Sequence, residues 1–155
     1  MKTTQHSDRT LIAQLQEIVT VETRLAIATR EAHWNVTGPA FFSLHELFGR
    51  QYTTINGFID DVAERIRQLG YTVSGSPLMG TSEPDSDADS LLEKLAAKHM
   101  KVTNLMKKAI RLATDRQDEG TADLLTGMLE QHDKMMWMLN ASMSAKEEAL
   151  INIPA

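Results

Sequence analysis

The sequence predicts an all-α protein that folds as a four-helix bundle with one long crossover between its second and third helices. Apolar residues recur at steps of three and four along four long segments, which is the period of an amphipathic helix. Three connections separate these segments, and two of them are short. The middle one, residues 70–86, contains three glycines and two prolines, which are typical of a loop.

The first two predicted helices precede the long connection. The first begins near Ser7 or Asp8, either of which can serve as an N-cap, and ends at Trp34. Its apolar stripe contains Leu11, Leu15, Ile18 and Leu25. The second runs from Ser43 to Leu69 without a proline. Its stripe contains Leu44, Phe48, Tyr52, Ile55, Ile59, Val62, Ile66 and Leu69.

The last two predicted helices follow the long connection. The third begins after Asp87 or Ser90, where the sequence Ser-Leu-Leu-Glu matches a capping box. Its stripe continues through Leu95, Val102, Met106, Ala109 and Ala113. The fourth begins near Thr121. Its stripe contains Leu125, Met128, Met135 or Met136, and Leu139.

The lengths of the connections predict the topology. Short connections make the first and second helices, and the third and fourth, antiparallel neighbours. Residues 70–86 could span roughly 55 Å, which exceeds the ~40 Å length of a helix of this size. One long crossover in the middle of four helices is the ferritin-like arrangement, in which facing side chains often bind iron through carboxylates and histidines.

Composition indicates one compact domain. The chain has 155 residues, of which 42% are hydrophobic, and we expect a short flexible tail at residues 1–7 and one domain at 8–155. The absence of cysteine excludes disulfides, thiolate metal sites and cysteine nucleophiles. We see neither a signal peptide nor a run of ~20 apolar residues, so the expected location is cytoplasmic, without a membrane.

Two histidines and two carboxylates form the candidate site. His33 and His45 flank a predicted turn, while Asp60 and Glu64 lie one helical turn apart. Histidine with Asp or Glu is the ligand set of an open Fe, Mn or Zn site. His45 and Asp60 share one predicted helix, which separates their Cα atoms by roughly 22 Å, whereas metal–ligand bonds are about 2 Å. The chain therefore carries two half-sites.

A second copy of the same helix, running antiparallel, would complete both half-sites. A two-fold axis near Tyr52 and Thr53 would bring each histidine end against the partner's carboxylate end. Gly49 and Gly57 lie on the stripe between the ligands. A glycine inside a helix costs ~1 kcal/mol relative to alanine, so our hypothesis is that both permit a close dimer contact.

The bundle interior, by contrast, is predicted to be metal-free. Ferritin-like diiron sites inside one bundle use Glu-x-x-His pairs, and no histidine of this sequence has a glutamate three residues earlier. His99 and His132 lie on apolar stripes and are predicted to be buried, hydrogen-bonded structural residues. For Asp60 and Glu64 the alternative is a solvated face beside Arg65.

Two segments resemble the Dps family, the mini-ferritins also described as DNA-binding proteins from starved cells. They are His-Trp-Asn-Val-Thr-Gly-Pro-Ala-Phe-Phe-Ser-Leu-His-Glu-Leu-Phe at 33–48 and Ile-Asp-Asp-Val-Ala-Glu-Arg at 59–65. The resemblance implies a diiron ferroxidase centre at a two-fold interface, with His33 and His45 from one subunit and Asp60 and Glu64 from its neighbour. It also implies a hollow homo-oligomer, a dodecamer, that oxidises Fe(II), preferably with hydrogen peroxide, stores ferric mineral and protects the cell from oxidative stress.

This sequence departs from the family near the second histidine. Some members have an acidic residue where Gly49 stands, so a second, weaker iron position would depend on Glu46, water or Asp61. Zinc could compete for the same ligands. Trp34, beside His33, has two interpretations: it positions the site or intercepts a stray radical, or it is an interface aromatic.

An acidic cluster near the last connection consists of Asp115, Asp118, Glu119 and Asp123. The resemblance implies that acidic residues of this region line pores through which iron enters, and Asp118, Glu119 and Asp123 are the candidates. A ring of negative charge would concentrate Fe(II) there. The alternative is helix capping, because acidic residues complement the positive end of the following helix.

DNA binding is the alternative function. Some family members bind DNA through a lysine-rich tail, but residues 1–10 contain only Lys2 and Arg9 as basic residues, together with Asp8. With a net charge of -5, attraction to phosphate should be weak and sensitive to salt. The competing hypothesis is a non-enzymatic, DNA-compacting stress protein.

Overall fold

Four helices form the computed structural model, which describes the backbone of residues 2–74 and 85–143 and side chains from Thr10 onwards. They are α1 (Lys2–Asn35), α2 (Phe41–Gln68), α3 (Ala88–Thr114) and α4 (Glu119–Ala141). No strand occurs in these residues, so the all-α prediction is confirmed. Helix α1 begins earlier than the predicted Ser7 or Asp8 because no glycine or proline precedes them; the division into tail and domain stays a prediction.

The predicted apolar stripes meet in one core. Along α2 the buried apolar residues are Leu44, Phe48, Ile55, Val62 and Ile66, which keep the predicted spacing. The largest fully buried apolar side chains of the other helices are Leu15, Ile18, Leu25, Leu92, Leu95, Met106, Leu125 and Leu139. Helix α1 packs against α2 and α3, and α3 packs against α4. The short connections thus join packed neighbours, as predicted.

Aspartate caps begin the last two helices. Asp87 accepts a hydrogen bond from the Ser90 amide at 2.8 Å, so the first of the two predicted starts of α3 is right. Asp118 accepts from the Thr121 amide at 3.1 Å and starts α4 two residues before the predicted position. Each such cap contributes about 1 kcal/mol to helix stability.

The two described ends of the long crossover lie at different heights along the bundle. At its start, Gln16 of α1 donates to the Thr72 carbonyl at 2.7 Å and accepts from the Ser74 amide at 2.9 Å. At its end, the Ser86 carbonyl accepts from the Thr37 amide at 3.3 Å, just beyond α1. About 20 residues of helix separate the two contacts, or roughly 30 Å. The predicted crossover along the bundle is confirmed.

None of the helices, in the part of the chain that the structure describes, combines the length and apolar character needed to cross a membrane.

Candidate metal centre

A tight turn between α1 and α2 brings the two candidate histidines together. Val36, which is buried, holds the start of the turn in the core. Gly38 has φ 95°, a conformation that L side chains rarely adopt, and its carbonyl accepts from the Phe41 amide at 3.1 Å. The chain therefore reverses within five residues, and His33 near the end of α1 faces His45 in the first turns of α2.

The two imidazole rings bind each other's backbone. Their centroids are 3.7 Å apart and their planes differ by 21°. His33 Nδ1 donates to the His45 carbonyl at 2.7 Å, and His45 Nδ1 donates to the His33 carbonyl at 2.8 Å. A carbonyl oxygen can only accept, so each Nδ1 carries the hydrogen, and each neutral ring keeps its lone pair on Nε2.

This hydrogen bonding is the arrangement that metal-binding histidines generally use. A ligating histidine donates its other ring N–H to a carbonyl or carboxylate, which fixes the tautomer and raises the basicity of the ligating nitrogen. Neither Nε2 of His33 and His45 has a hydrogen-bond partner among the described residues. The imidazole half-site therefore fits a metal ion of the Fe, Mn or Zn class.

An open groove of about 550 Å³ adjoins both rings. Its lining residues are His33, His45, Glu46, Gly49, Arg50, Tyr52, Thr53 and Thr54. The Tyr52 ring meets the His33 ring edge-on, with centroids 5.5 Å apart, and the Arg30 guanidinium carbon lies 5.0 Å from the Tyr52 centroid. The groove lies on the predicted dimer stripe of α2, so it is open on the side where we expect a second copy.

Gly49 has a role within the chain. A Cβ atom at this position would lie 3.3 Å from His33 Cε1 and 3.4 Å from His33 Nδ1, which is tighter than ordinary contact. The missing side chain therefore makes room for the His33 ring. At Gly57 an added Cβ would meet nothing within 4 Å, so the dimer hypothesis for that glycine is still a prediction.

The carboxylate half-site lies at the other end of α2. Asp60 and Glu64 are exposed, and neither makes a hydrogen bond or ion pair within the described residues. Helix α2 continues unbroken from His45 to Asp60, so the separation along its axis is roughly 22 Å. Accordingly, in residues 10–74 and 85–143, whose side chains the structure describes, no three His, Asp or Glu side chains converge as a metal site.

The alternative of a solvated face beside Arg65 is still open, because Asp60 and Glu64 are both exposed. The Arg65 guanidinium turns away from Asp60 and Glu64, donating to Asp118 Oδ1 at 2.6 Å and to Thr121 Oγ1 at 2.8 Å. In the described chain, Arg65 therefore forms no ion pair with either carboxylate.

The additional candidate ligands differ in their availability. Glu46 Oε1 accepts from Arg50 Nε at 2.9 Å and lies 2.8 Å from Arg50 Nη2, so this carboxylate already has a cationic partner. Asp61 is exposed. Because Gly49 supplies no ligand, the imidazole half of the centre contains two nitrogen donors and one carboxylate that is engaged elsewhere.

Trp34 lies beside a different groove from its sequence neighbour His33. Its side chain is 66% exposed, and it lines a cavity between α1 and α3 together with Leu91 and Lys98. Within the described chain, its indole makes no ring contact with either imidazole of the site. Both interpretations of Trp34 are still predictions.

Asp118 is fully engaged as a helix cap. Besides Arg65 and the Thr121 amide, it accepts from Thr121 Oγ1 at 2.6 Å. Partial burial alone would raise the pKa of Asp118, but hydrogen bonds from Thr121 and Arg65 hold it below its ordinary value. Capping therefore accounts for Asp118. Glu119 and Asp123 are exposed, and their role in a pore is still a prediction.

The other two candidate histidines are buried, as predicted. His99 of α3 and His132 of α4 join their Nδ1 atoms by a hydrogen bond of 2.9 Å, and His132 Nε2 donates to Glu22 Oε1 of α1 at 2.7 Å. All three side chains are fully buried. Desolvation, together with repulsion from His132, lowers the pKa of His99 to about 3.

Sequence reasoning missed Glu22. The available signal was its position on the apolar stripe of α1, four residues after Ile18 and three before Leu25. A carboxylate in such a position requires a buried partner. The sequence offered no means of choosing His132, which is 110 residues away.

Fold and site geometry define a ferritin-like protein, and a family model described as "Ferritin-like domain" matches residues 12–146. A "DNA protection during starvation protein" of Agrobacterium fabrum is 33% identical over 145 residues, 88% of this chain and 90% of that protein. A low temperature-induced protein of Nostoc is 36% identical over 126 residues, 76% of this chain and 70% of that protein.

Solved structures agree with the sequence relatives. The crystal structure of a Dps protein from Vibrio cholerae, described as a member of a broad superfamily of ferritin-like diiron-carboxylate proteins, has a TM-score of 0.81 and 27% identity. The matched region covers 88% of this chain and 90% of the Vibrio cholerae chain. The chain belongs to the Dps family.

Proposed function

We propose that this protein is a ferroxidase that binds Fe(II) between two copies of the chain, oxidises it with hydrogen peroxide and stores the ferric product inside a hollow dodecamer. One observation carries the proposal. A pair of imidazoles with free Nε2 atoms and a pair of unpaired carboxylates lie at opposite ends of one rigid helix. A two-fold axis near Tyr52 would bring the two kinds of half-site together.

The residues would act on iron as their chemistry allows. Neutral imidazole and carboxylate together suit Fe(II). His33 and His45 are oriented by each other's backbone, which limits the reorganisation needed when the ion binds. Asp60 and Glu64 of the partner subunit would neutralise the charge of the ion. Incomplete coordination by the protein would leave positions for the oxidant.

The redox balance requires two electrons for each peroxide. Two Fe(II) ions each lose one electron, the O–O bond breaks, and two protons complete two molecules of water. Ferric iron then remains as the product to be stored. Because two adjacent Fe(II) ions deliver both electrons to one peroxide together, hydroxyl radical is not released. This chemistry accounts for protection from oxidative damage without contact between the protein and DNA.

The two iron positions of the proposed centre would be unequal. The position nearest the imidazoles would have all four candidate ligands, His33 and His45 together with Asp60 and Glu64 of the partner subunit. The second would depend on Asp61, water or Glu46, and the last is paired with Arg50. We therefore expect one tight and one weak Fe(II) site, with Zn²⁺ competing for the tight one.

A complementation experiment tests the shared site directly. His33→Ala and Asp60→Ala should each lose Fe(II) binding and peroxide-driven ferric absorbance. When the two variants are unfolded together and reassembled in equal amounts, mixed pairs regain one intact site, so about one quarter of wild-type activity should return. A matched control reassembles each variant alone. If either variant keeps full activity, or if the mixture recovers none, the inter-subunit ferroxidase is wrong.

The "DNA protection" in the name of the Agrobacterium relative motivates the alternative function, a DNA-compacting protein. The net charge of -5 disfavours direct binding to phosphate. A mobility-shift titration at several salt concentrations distinguishes the two functions. Retarded DNA at physiological salt, together with unchanged iron oxidation in the histidine variants, would favour the alternative.

A further inference from the structure

Helix α3 carries a dense run of positive charge. Residues 94–114 contain six basic residues and no acidic one, which gives them a charge of +6. The net charge of the chain is -5, so the remaining residues together carry -11. All six basic side chains are exposed, and they are Lys94, Lys98, Lys101, Lys107, Lys108 and Arg111. Positive charge is thus concentrated on one helix of an otherwise acidic protein.

Four of these side chains form a stripe that is slightly inclined to the helix axis. Successive members are three, seven and three residues apart, so each lies near the next on one side of α3, over about 20 Å. The members of this basic stripe are Lys98, Lys101, Lys108 and Arg111. Lys94 continues the row, but it forms an ion pair with Asp85. Within the described residues, no ion pair joins the basic stripe to a carboxylate.

Helix stability alone does not account for the basic stripe. Like charges three residues apart repel each other and destabilise a helix, as Lys98 and Lys101 do, and Lys108 and Arg111. The helix dipole stabilises basic residues in the last turn, but Arg111 is the one member of the stripe that lies there. A bound anion would remove the repulsion between the other members.

The acidic remainder of the protein restricts the shape of the anionic partner. A DNA duplex stays straight over roughly 50 nm, so it would continue past the 20 Å of the stripe into the field of the other residues, whose charge is negative. A bilayer extends in two dimensions and would meet the same field. A flexible thread can lie on the stripe alone, so the net charge of -5 does not exclude it.

We propose that the basic stripe of α3 binds inorganic polyphosphate, a flexible chain with a negative charge on each phosphate unit. Lysine ammonium groups bind phosphate oxygens as point charges. Binding of so dense a polyanion releases its condensed counterions, which favours association. An acidic peptide fits less well, because an extended peptide turns only alternate side chains to one surface, about one in every 7 Å. This inference does not depend on the proposed ferroxidase function.

The test is calorimetric titration of the assembled, iron-free protein with polyphosphate at several salt concentrations. Lys101→Gln/Lys108→Gln removes two cations of the stripe, and the matched control Arg67→Gln/Lys134→Gln removes two exposed cations from α2 and α4. Each phosphate contact contributes about -0.7 to the slope of log affinity against log salt, so loss of two contacts should weaken binding about 25-fold at roughly 0.1 M salt. The control should bind as wild type does.

Several outcomes would overturn the inference. They are a wild-type protein that does not bind polyphosphate at physiological salt, equal losses in the two double variants, or duplex DNA or polyglutamate of the same total charge that binds as tightly as polyphosphate. If Lys101→Gln/Lys108→Gln fails to fold, Lys101→Gln alone should still reduce the salt slope by about 0.7, and an unchanged slope would contradict the proposal. Because no iron is present, failure here leaves the ferroxidase proposal intact.

Discussion

The chain places two histidine pairs in opposite environments, one at the surface and one in the core. In the surface pair, the Nδ1 atoms of His33 and His45 donate to backbone carbonyls. In the buried pair, His99 and His132 join their Nδ1 atoms to each other, and His132 also binds a buried glutamate. All four rings therefore bond through Nδ1, but the partners are backbone carbonyls at the surface and another imidazole in the core.

The difference shows how hydrogen-bond partners determine what a histidine can do. Backbone carbonyls satisfy one nitrogen of each surface ring and leave two lone pairs beside an open groove. In the buried pair, His99 Nε2 is also without a partner, as is Glu22 Oε2, but both atoms are shielded from solvent. Unpaired atoms in the core cost stability, whereas unpaired lone pairs at the surface are available to a metal ion.

The largest expected effect follows from removing one member of the buried network. His132→Ala leaves the Glu22 carboxylate buried without its donor, so the free energy of unfolding should fall by roughly 3–5 kcal/mol. His45→Ala, the matched surface change, should cost about 1 kcal/mol because solvent can replace its hydrogen bond. Urea unfolding of both variants measures the difference. Equal losses would mean that the two pairs do not differ in the way we argue.

The next effect is a pH dependence of stability that arises from His99. Burial lowers the pKa of His99 from 6.5 to about 3, so the unfolded chain takes up a proton that the folded chain excludes. Stability should therefore fall as the pH drops below 6.5, by about 1.4 kcal/mol per unit and about 2 kcal/mol by pH 5. His99→Gln, which cannot titrate but can still hydrogen-bond to His132, should lose this slope.

Unfolding in urea at several pH values between 7 and 5, with a chelator present, checks the prediction. Asp85 and Asp118 do not interfere, because both have lowered pKa values and lose their stabilising interactions only near or below 3.8. If wild type and His99→Gln lose stability in parallel, His99 is not the source of the pH dependence.

Local patterns made the surface site predictable from sequence, whereas the core network depended on distant packing. The turn at Gly38 and the continuity of α2 lie within one stretch of chain, so the separation of the half-sites followed from helix geometry. Glu22 meets His132 only after α1 and α4 have packed, which no local pattern encodes. The direction of Trp34 likewise depends on where α3 lies beside α1.

Alanine substitutions at Gly49 and Gly57 should have the smallest effects on stability, and they test how the His33 ring is positioned. Alanine at either position gains up to ~1 kcal/mol of helix propensity. At Gly49 the new Cβ would press against His33 at 3.3 Å, which offsets that gain and displaces the ring. Gly49→Ala should therefore leave the stability of the fold nearly unchanged but weaken Co(II) binding, as measured by titration of its absorption spectrum.

Gly57→Ala is the matched control, because an added Cβ meets nothing within 4 Å in this chain. The free energy of unfolding of a single subunit should rise by up to ~1 kcal/mol, while the His33 ring is undisturbed. If a partner helix packs closely on this face, the same methyl group should weaken assembly, which sedimentation velocity measures. Two results together would contradict the hypothesis that these glycines permit a close dimer contact: unchanged assembly in Gly57→Ala and weakened Co(II) binding in Gly49→Ala. The small residues on α2 would then serve only to make room for the His33 ring.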